Sequence, residues 1–136
     1  MTNISPPDWS SKTVLIVEDL PHNYELLSTM LIPTGIAIAW AKNGLEAIEY
    51  VNNPANPADI VLMDINMPVL NGYVAIKRIK EMRPNLPIIT QTAYAYEGEQ
   101  EKSFRAGTDE YILKPIRREI LFEKMRKFLD QKNNQS

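Results

Sequence analysis

Five short apolar runs, most of them rich in β-branched residues, punctuate this chain, and each is followed by a segment with apolar residues at helical spacing. That alternation constrains the fold more than any other feature. Thr13-Val14-Leu15-Ile16-Val17 is nearly continuous, as expected of a strand covered on both faces. Ile36-Ala37-Ile38-Ala39-Trp40, Ile60-Val61-Leu62-Met63, Ile88-Ile89-Thr90-Gln91 and Tyr111-Ile112-Leu113 are the other strand candidates. Pro21 suits the first turn of a helix, where a missing N–H costs nothing. Leu26, Leu27, Met30 and Leu31 give that helix its apolar face, and residues 33–35 end it. Asn43-Gly44 opens a second helix carrying Ala47, Ile48 and Val51, and Gly72 precedes a third carrying Val74, Ile76, Ile79 and Met82. Residues 95–106 predict a weaker fourth helix, because Gly98 costs about 1 kcal/mol relative to Ala in a helix interior; Gly107 closes it. The fifth runs from Arg117 to Leu129 on a stripe of Leu121, Met125, Phe128 and Leu129. Five strands alternating with five helices predict the α/β class, a doubly wound parallel sheet with helices on both faces.

A length of 136 residues suits one domain, since domains commonly run about 100–150 residues. The expected division is a flexible leader over residues 1–12, a folded domain over 13–130 and a polar tail over 131–136. Trp9 is expected to be exposed in the leader, and Trp40 to be partly buried at the end of its strand. The formal charge of -2 argues against nucleic-acid binding by charge alone. With no cysteine, neither a disulfide framework nor a thiolate metal site can form. No apolar run approaches the roughly 18–20 residues of a membrane span, and the first twelve residues do not read as a signal peptide. The expectation is a soluble, cytoplasmic domain without membrane or nucleic-acid contacts.

In open parallel sheets ligands sit at the carboxyl ends of the strands. Here those ends carry Glu18-Asp19, Asp64, Thr92-Ala93 and Lys114-Pro115. Three crowded carboxylates repel one another and call for a cation. A hard ion such as Mg²⁺ takes oxygen ligands, and a carboxylate beside it can attack a phosphoryl group to give an aspartyl phosphate. In such a transfer positioning and charge stabilisation dominate. A lysine and a threonine hydroxyl suit the remaining phosphoryl oxygens, and the small Ala93 leaves room for them.

The stretches VLIVED (14–19), DIVLMDINMPVLNGY (59–73), PIITQTA (87–93) and AGTDEYILKPI (106–116) resemble the receiver domain of response regulators and hybrid histidine kinases, in order and at that family's spacing. The resemblance implies a flavodoxin-like sheet of order 2-1-3-4-5. It implies Asp64 as phosphoacceptor and a Mg²⁺ site made by Glu18, Asp19, Asp64 and the backbone carbonyl of Asn66. Thr92 and Lys114 match the groups that contact the phosphoryl, and Thr92 with Tyr111 matches a switch in which the aromatic ring swings inward. A cis Lys114–Pro115 bond is expected, with the amine turned toward the acids. Glu at position 18 is an accepted variant of the family's acid pair.

Each residue has a plainer reading when taken alone. Asp19 could be an N-cap, Glu18 surface charge, Thr92 a cap, Lys114 a surface lysine and Tyr111 a half-buried sheet aromatic. Asn66 and Gly72 suit turns. Their joint placement at the strand ends favours the functional reading. His22, the only histidine, is expected to be a solvated residue of the first helix and no phosphorelay site. Gly98 could ease rearrangement of the fourth helix or be a simple surface glycine.

The expected function is a phosphorylation-controlled switch. A sensor histidine kinase or a phosphotransfer protein donates to Asp64, and a downstream protein target reads the altered surface. Turnover as an enzyme is not expected beyond self-catalysed transfer and slow autodephosphorylation, with Asn66 and Tyr94 flanking the water path. An aspartyl-phosphate phosphatase is the rival from the enzyme class, but it would want an acid where Asn66 stands. An inert receiver-like scaffold is the other rival; it has no need of a costly carboxylate cluster. No output domain is expected after Leu129, and a stand-alone receiver is expected over an excised domain of a hybrid kinase.

Overall fold

The computed structural model describes residues 5–65, 69–93 and 97–130. Five strands, β1 (Thr13–Val17), β2 (Ala37–Ala41), β3 (Ile60–Asp64), β4 (Ile88–Thr92) and β5 (Glu110–Leu113), form one parallel sheet of order β2-β1-β3-β4-β5. Five helices connect and cover them: α1 (Pro21–Leu31), α2 (Gly44–Asn52), α3 (Gly72–Met82), α4 (Glu97–Ala106) and α5 (Arg118–Leu129). A 3-10 turn, Ile32–Thr34, extends α1. The order 2-1-3-4-5 and the flavodoxin-like arrangement are as the family resemblance implies.

Strand alternation divides the core into two layers. Val14, Ile16, Leu62, Ile89 and Ile112 face α1 and α5, where Leu27, Leu31, Leu121 and Met125 meet them. Leu15, Val17, Val61, Met63 and Ile88 face the other way, against Ala47 and Val51 of α2 and Ile76 and Ile79 of α3. Burial on both sides explains why the runs are continuous in apolar residues rather than alternating. The edge strand β2 is more open and begins one residue later than expected. Ile36 is nevertheless buried in the core just before it.

Local chemistry sets the helix ends. Asn43 Oδ1 accepts the Glu46 N–H at 2.9 Å, while Glu46 Oε1 accepts the Lys42 N–H at 2.7 Å, a reciprocal arrangement like a capping box. Asn71 Oδ1 accepts the Tyr73 N–H at the start of α3. Gly72 there is more than a turn residue: a Cβ would lie 2.9 Å from Ile65 Cα, so its absence lets α3 press against the chain that leaves β3. Gly107, with φ of 119°, ends α4 as expected. Helix α4 is held partly by hydroxyls. Ser103 Oγ, buried, donates to Thr108 Oγ1 at 3.0 Å and lies 3.2 Å from Thr90 Oγ1 on β4. Among the described residues, no helix is long and apolar enough to cross a membrane.

The expectation for Trp9 is overturned. It is 2% exposed, its ring packs edge-on to Phe122 at 5.7 Å, and Nε1 donates to Asp130 Oδ1 at 2.9 Å. Its backbone N–H donates to the Thr34 carbonyl at 2.8 Å. Trp9 joins the apolar layer of α1 and α5, where burial of so large a ring outweighs the cost of ordering the segment that carries it. Trp9→Ala should therefore lower unfolding stability by about 3–5 kcal/mol, and Trp9→Phe, which removes chiefly the indole N–H bond, by about 1–2 kcal/mol. Urea denaturation of the two variants checks this.

Candidate phosphoacceptor site

The parallel strands end on one rim, and their register sets which residues meet there. Glu18 and Asp19 follow β1, Asp64 closes β3, Thr92 closes β4 and Lys114 follows β5. Carboxylate oxygens of Glu18, Asp19 and Asp64 all lie within 4.8 Å of one another. Glu18 is fully buried, Asp64 is 2% exposed and Asp19 is half-buried. Lys114 Nζ lies 3.4 Å from Asp64 Oδ1, and the Lys114–Pro115 bond is cis. Thr92 is buried, and its carbonyl accepts the Lys114 N–H at 2.8 Å, so the ends of β4 and β5 are tied together. Asn66 and Tyr94 lie outside the described residues.

Other acids show what a structural carboxylate looks like in this protein. Asp59 accepts the Thr13 N–H at 2.7 Å, and Asp109 accepts the Ile88 N–H at 2.9 Å while pairing with Lys80. Both serve the opposite ends of the strands and have strong donors. Glu18 differs. Its Oε2 receives two long bonds of 3.4 Å, from the Leu20 N–H and Asn23 Nδ2, and its Oε1 has no partner among the described residues. A fully buried carboxylate oxygen without a donor is costly. At this separation two unit charges repel by about 3 kcal/mol at an effective dielectric of about 20. Burial first, and then the Asp64 charge, push the Glu18 carboxyl up to about 7, against the opposing pull of Lys114. The site has more negative charge than Lys114 balances. Oxygen donors only, three carboxylates and an orphaned acceptor fit a hard divalent cation.

Asp19 is not the N-cap of α1: Leu20 occupies that position, and no side chain caps it. Two contacts at the site had no counterpart in the sequence reading. Trp40, half-buried as expected, donates its Nε1 to the Glu18 carbonyl at 2.8 Å and stacks on Tyr24 at 4.0 Å. It thereby fixes the backbone that presents the acid pair. Asn23 reaches back from α1 to Glu18. A polar residue on the inner face of the first helical turn was the available signal. His22 is exposed, as expected.

Tyr111 stands half-buried on the β5 side, edge-on to Phe104 of α4 at 6.2 Å and beneath Lys124 of α5, whose Nζ is 5.3 Å from the ring centroid. Glu110 next to it pairs with Lys124 and Lys127, and those hydrogen bonds hold its carboxyl low despite burial, which pushes it the other way.

Comparison with known proteins agrees with this geometry. The profile of the response regulator receiver domain matches residues 14–126. Hybrid signal transduction histidine kinase I of Dictyostelium discoideum is 37% identical over 127 residues, which cover 88% of this chain and 7% of that protein. The chain likewise spans only 17% of two-component system protein A of Emericella nidulans. The polar-differentiation response regulator DivK of Brucella anthropi is 33% identical over 87% of this chain and 96% of its own length. Among solved structures, the receiver domain of a sensor histidine kinase from Pseudomonas aeruginosa, which has a magnesium ion coordinated in its active-site cleft, superposes with a TM-score of 0.80 at 30% identity, over 88% of this chain and 98% of that one. A CheY-like receiver from Methanospirillum hungatei reaches a TM-score of 0.83 at 27% identity, over 92% and 98%. The chain belongs to the response regulator receiver domain family.

Proposed function

We propose that this chain accepts a phosphoryl group on Asp64, from the phosphohistidine of a sensor histidine kinase or phosphotransfer protein, and so switches a protein-binding surface. The observation that carries the reading is the buried cluster of Glu18, Asp19 and Asp64, with one Glu18 oxygen unpartnered and the Lys114 amine beside Asp64. Glu18, Asp19, Asp64 and the carbonyl of Asn66 would hold Mg²⁺, which when bound neutralises the cluster and takes part of the phosphoryl charge. An Asp64 carboxylate oxygen attacks phosphorus as the donor's P–N bond breaks, and the departing imidazole keeps the electron pair. Lys114 and Thr92 receive the other phosphoryl oxygens, one as a point charge and one as a hydroxyl donor.

The readout follows from what Thr92 is attached to. Two residues earlier on the same strand, Thr90 contacts Ser103, so a pull on Thr92 bears on the hydroxyl contacts that hold α4. Tyr111, between Phe104 and Lys124, loses those outward contacts if it turns inward. Phosphorylation biases the two arrangements by the difference in their contacts with the phosphate, and by no more than that. Partners inside the cell, both donor and target, follow from this reading. Turnover on outside substrates does not, because Asn66 stands where a phosphatase would place its acid.

Incubation with Mg²⁺ and acetyl phosphate, followed by intact mass measurement, should give an adduct of a single phosphate. It should be absent in Asp64→Asn, and form at least about tenfold more slowly in Lys114→Ala. A folded, Mg²⁺-binding wild type that gives no adduct would contradict the reading.

The raised Glu18 value also sets a pH dependence. Without a divalent cation the folded state holds this proton more tightly than the unfolded chain. The resulting stabilisation is complete below about pH 4.5 and is lost as pH rises through about 7. Glu110 acts in the opposite sense, but at and below the ordinary carboxyl range. In chelator, unfolding stability should fall on the order of 2 kcal/mol between pH 5 and pH 8. Saturating Mg²⁺ should flatten that slope and Asp64→Asn should lessen it, leaving the part due to burial, as denaturant titrations across pH would show.

A further inference from the structure

The Glu18 carbonyl stands where the ladder between β1 and β2 runs out. In a parallel pair, every second residue of a strand gives its N–H to the neighbouring strand and receives an N–H from two residues further along it. The Lys12 carbonyl opens this series by accepting the Ala37 N–H at 3.0 Å, and the Glu18 N–H donates to the Ala41 carbonyl at 3.0 Å. The next donor in the series would be the Asn43 N–H. But β2 ends at Ala41, and Asn43 is already the N-cap of α2. The Glu18 carbonyl accepts the Trp40 indole N–H instead, at 2.8 Å. Strand alternation turns Trp40 to the same side of the sheet as Ile38, toward α1. There its ring stacks on Tyr24, with centroids 4.0 Å apart and planes within 5°, and Lys42 Nζ lies 5.3 Å from its centroid. Asn23, the residue before Tyr24, reaches Glu18 Oε2.

We propose that Trp40 is a positioning residue for the cation site: its indole N–H replaces the ladder donor that the Glu18 carbonyl loses at the end of β2, and so sets the peptide from which Glu18 and Asp19 diverge. That peptide is a rigid plane. Holding its oxygen therefore fixes the direction in which the chain leaves for Asp19, and with it the spacing of the two carboxylates in the cluster. Mg²⁺ demands near-ideal geometry of its ligands, so slack between the two acids costs affinity. Tyr24 keeps the indole in place, and Asn23 beside it steadies the Glu18 side chain. One turn of α1 thus holds the first acid through both its backbone and its carboxylate. Packing against Tyr24 asks only for an aromatic ring, which phenylalanine would supply; the bond to the carbonyl asks for the N–H.

This role presupposes that the acidic cluster is a cation site, and the experiment separates the two. The rise of the thermal unfolding midpoint with Mg²⁺ concentration gives the affinity of each variant. Trp40→Phe keeps a stacking ring and removes the donor, and it should bind Mg²⁺ about three- to tenfold more weakly than wild type. Trp9→Phe also loses an indole hydrogen bond, but in the leader, and should keep wild-type affinity. In that variant Trp40 is the sole tryptophan, and its emission should change on addition of Mg²⁺ with the affinity found from unfolding. Wild-type affinity in Trp40→Phe would overturn the role of Trp40 and leave the cation site intact. An equal loss in Trp9→Phe would overturn it too, because general loosening would then account for both. So would Trp40 emission that ignores saturating Mg²⁺. Failure of Mg²⁺ to stabilise the wild type would remove the cation site and this role together.

Discussion

Two buried carboxylates, Glu18 and Asp64, face one another at the ends of adjacent strands, and much of the molecule is arranged around that repulsion. The register that pairs Val17 with Met63 carries the next residues, Glu18 and Asp64, onto the same rim. Burial removes the water that would screen them, and Lys114 offsets only part of the charge. Such a cluster persists because the rest of the fold over-determines it: both faces of the sheet are sealed by apolar layers, and Trp40 pins the Glu18 carbonyl from β2. The oxygen donors of a site under this electrostatic load fit a divalent cation, which relieves it.

The same sheet connects the load to a surface. The strands that deliver Thr92 and Lys114 also carry Thr90, which meets Ser103 of α4, and Tyr111, which lies between α4 and α5. The hydroxyl contacts beneath α4 are directional and individually modest, whereas the aliphatic packing beneath α3 is neither. On the reading proposed above, an element held this way exchanges one set of contacts for another when Asp64 is phosphorylated.

Most of the architecture was legible in the sequence because strands covered on both faces leave continuous apolar runs, and parallel topology gathers the polar residues that follow those runs onto one edge. Glu18, Asp19, Asp64, Thr92 and Lys114 could be picked out by that rule before any family was named. Gly107 was expected to close α4, and the resemblance implied the cis bond at 114–115; both are present. Trp9 was misread because a single aromatic in a polar segment has no periodicity to report its burial. Gln91 lies inside an apolar run whose pattern it interrupts by one residue, and the burial of its amide could be seen only in the structure. The Trp40 bond to a backbone carbonyl leaves no sequence signature at all.

The central claim is chemical: the phosphoryl group resides on the Asp64 carboxylate. Borohydride reduction of the phosphorylated protein, followed by peptide mass spectrometry, tests it most directly, because an acyl phosphate is reduced to the alcohol while a free carboxylate is not. The account predicts homoserine at position 64 and intact carboxyls at Glu18 and Asp19. Homoserine at position 19, or a phosphate that survives reduction on a hydroxyl or on His22, would contradict it.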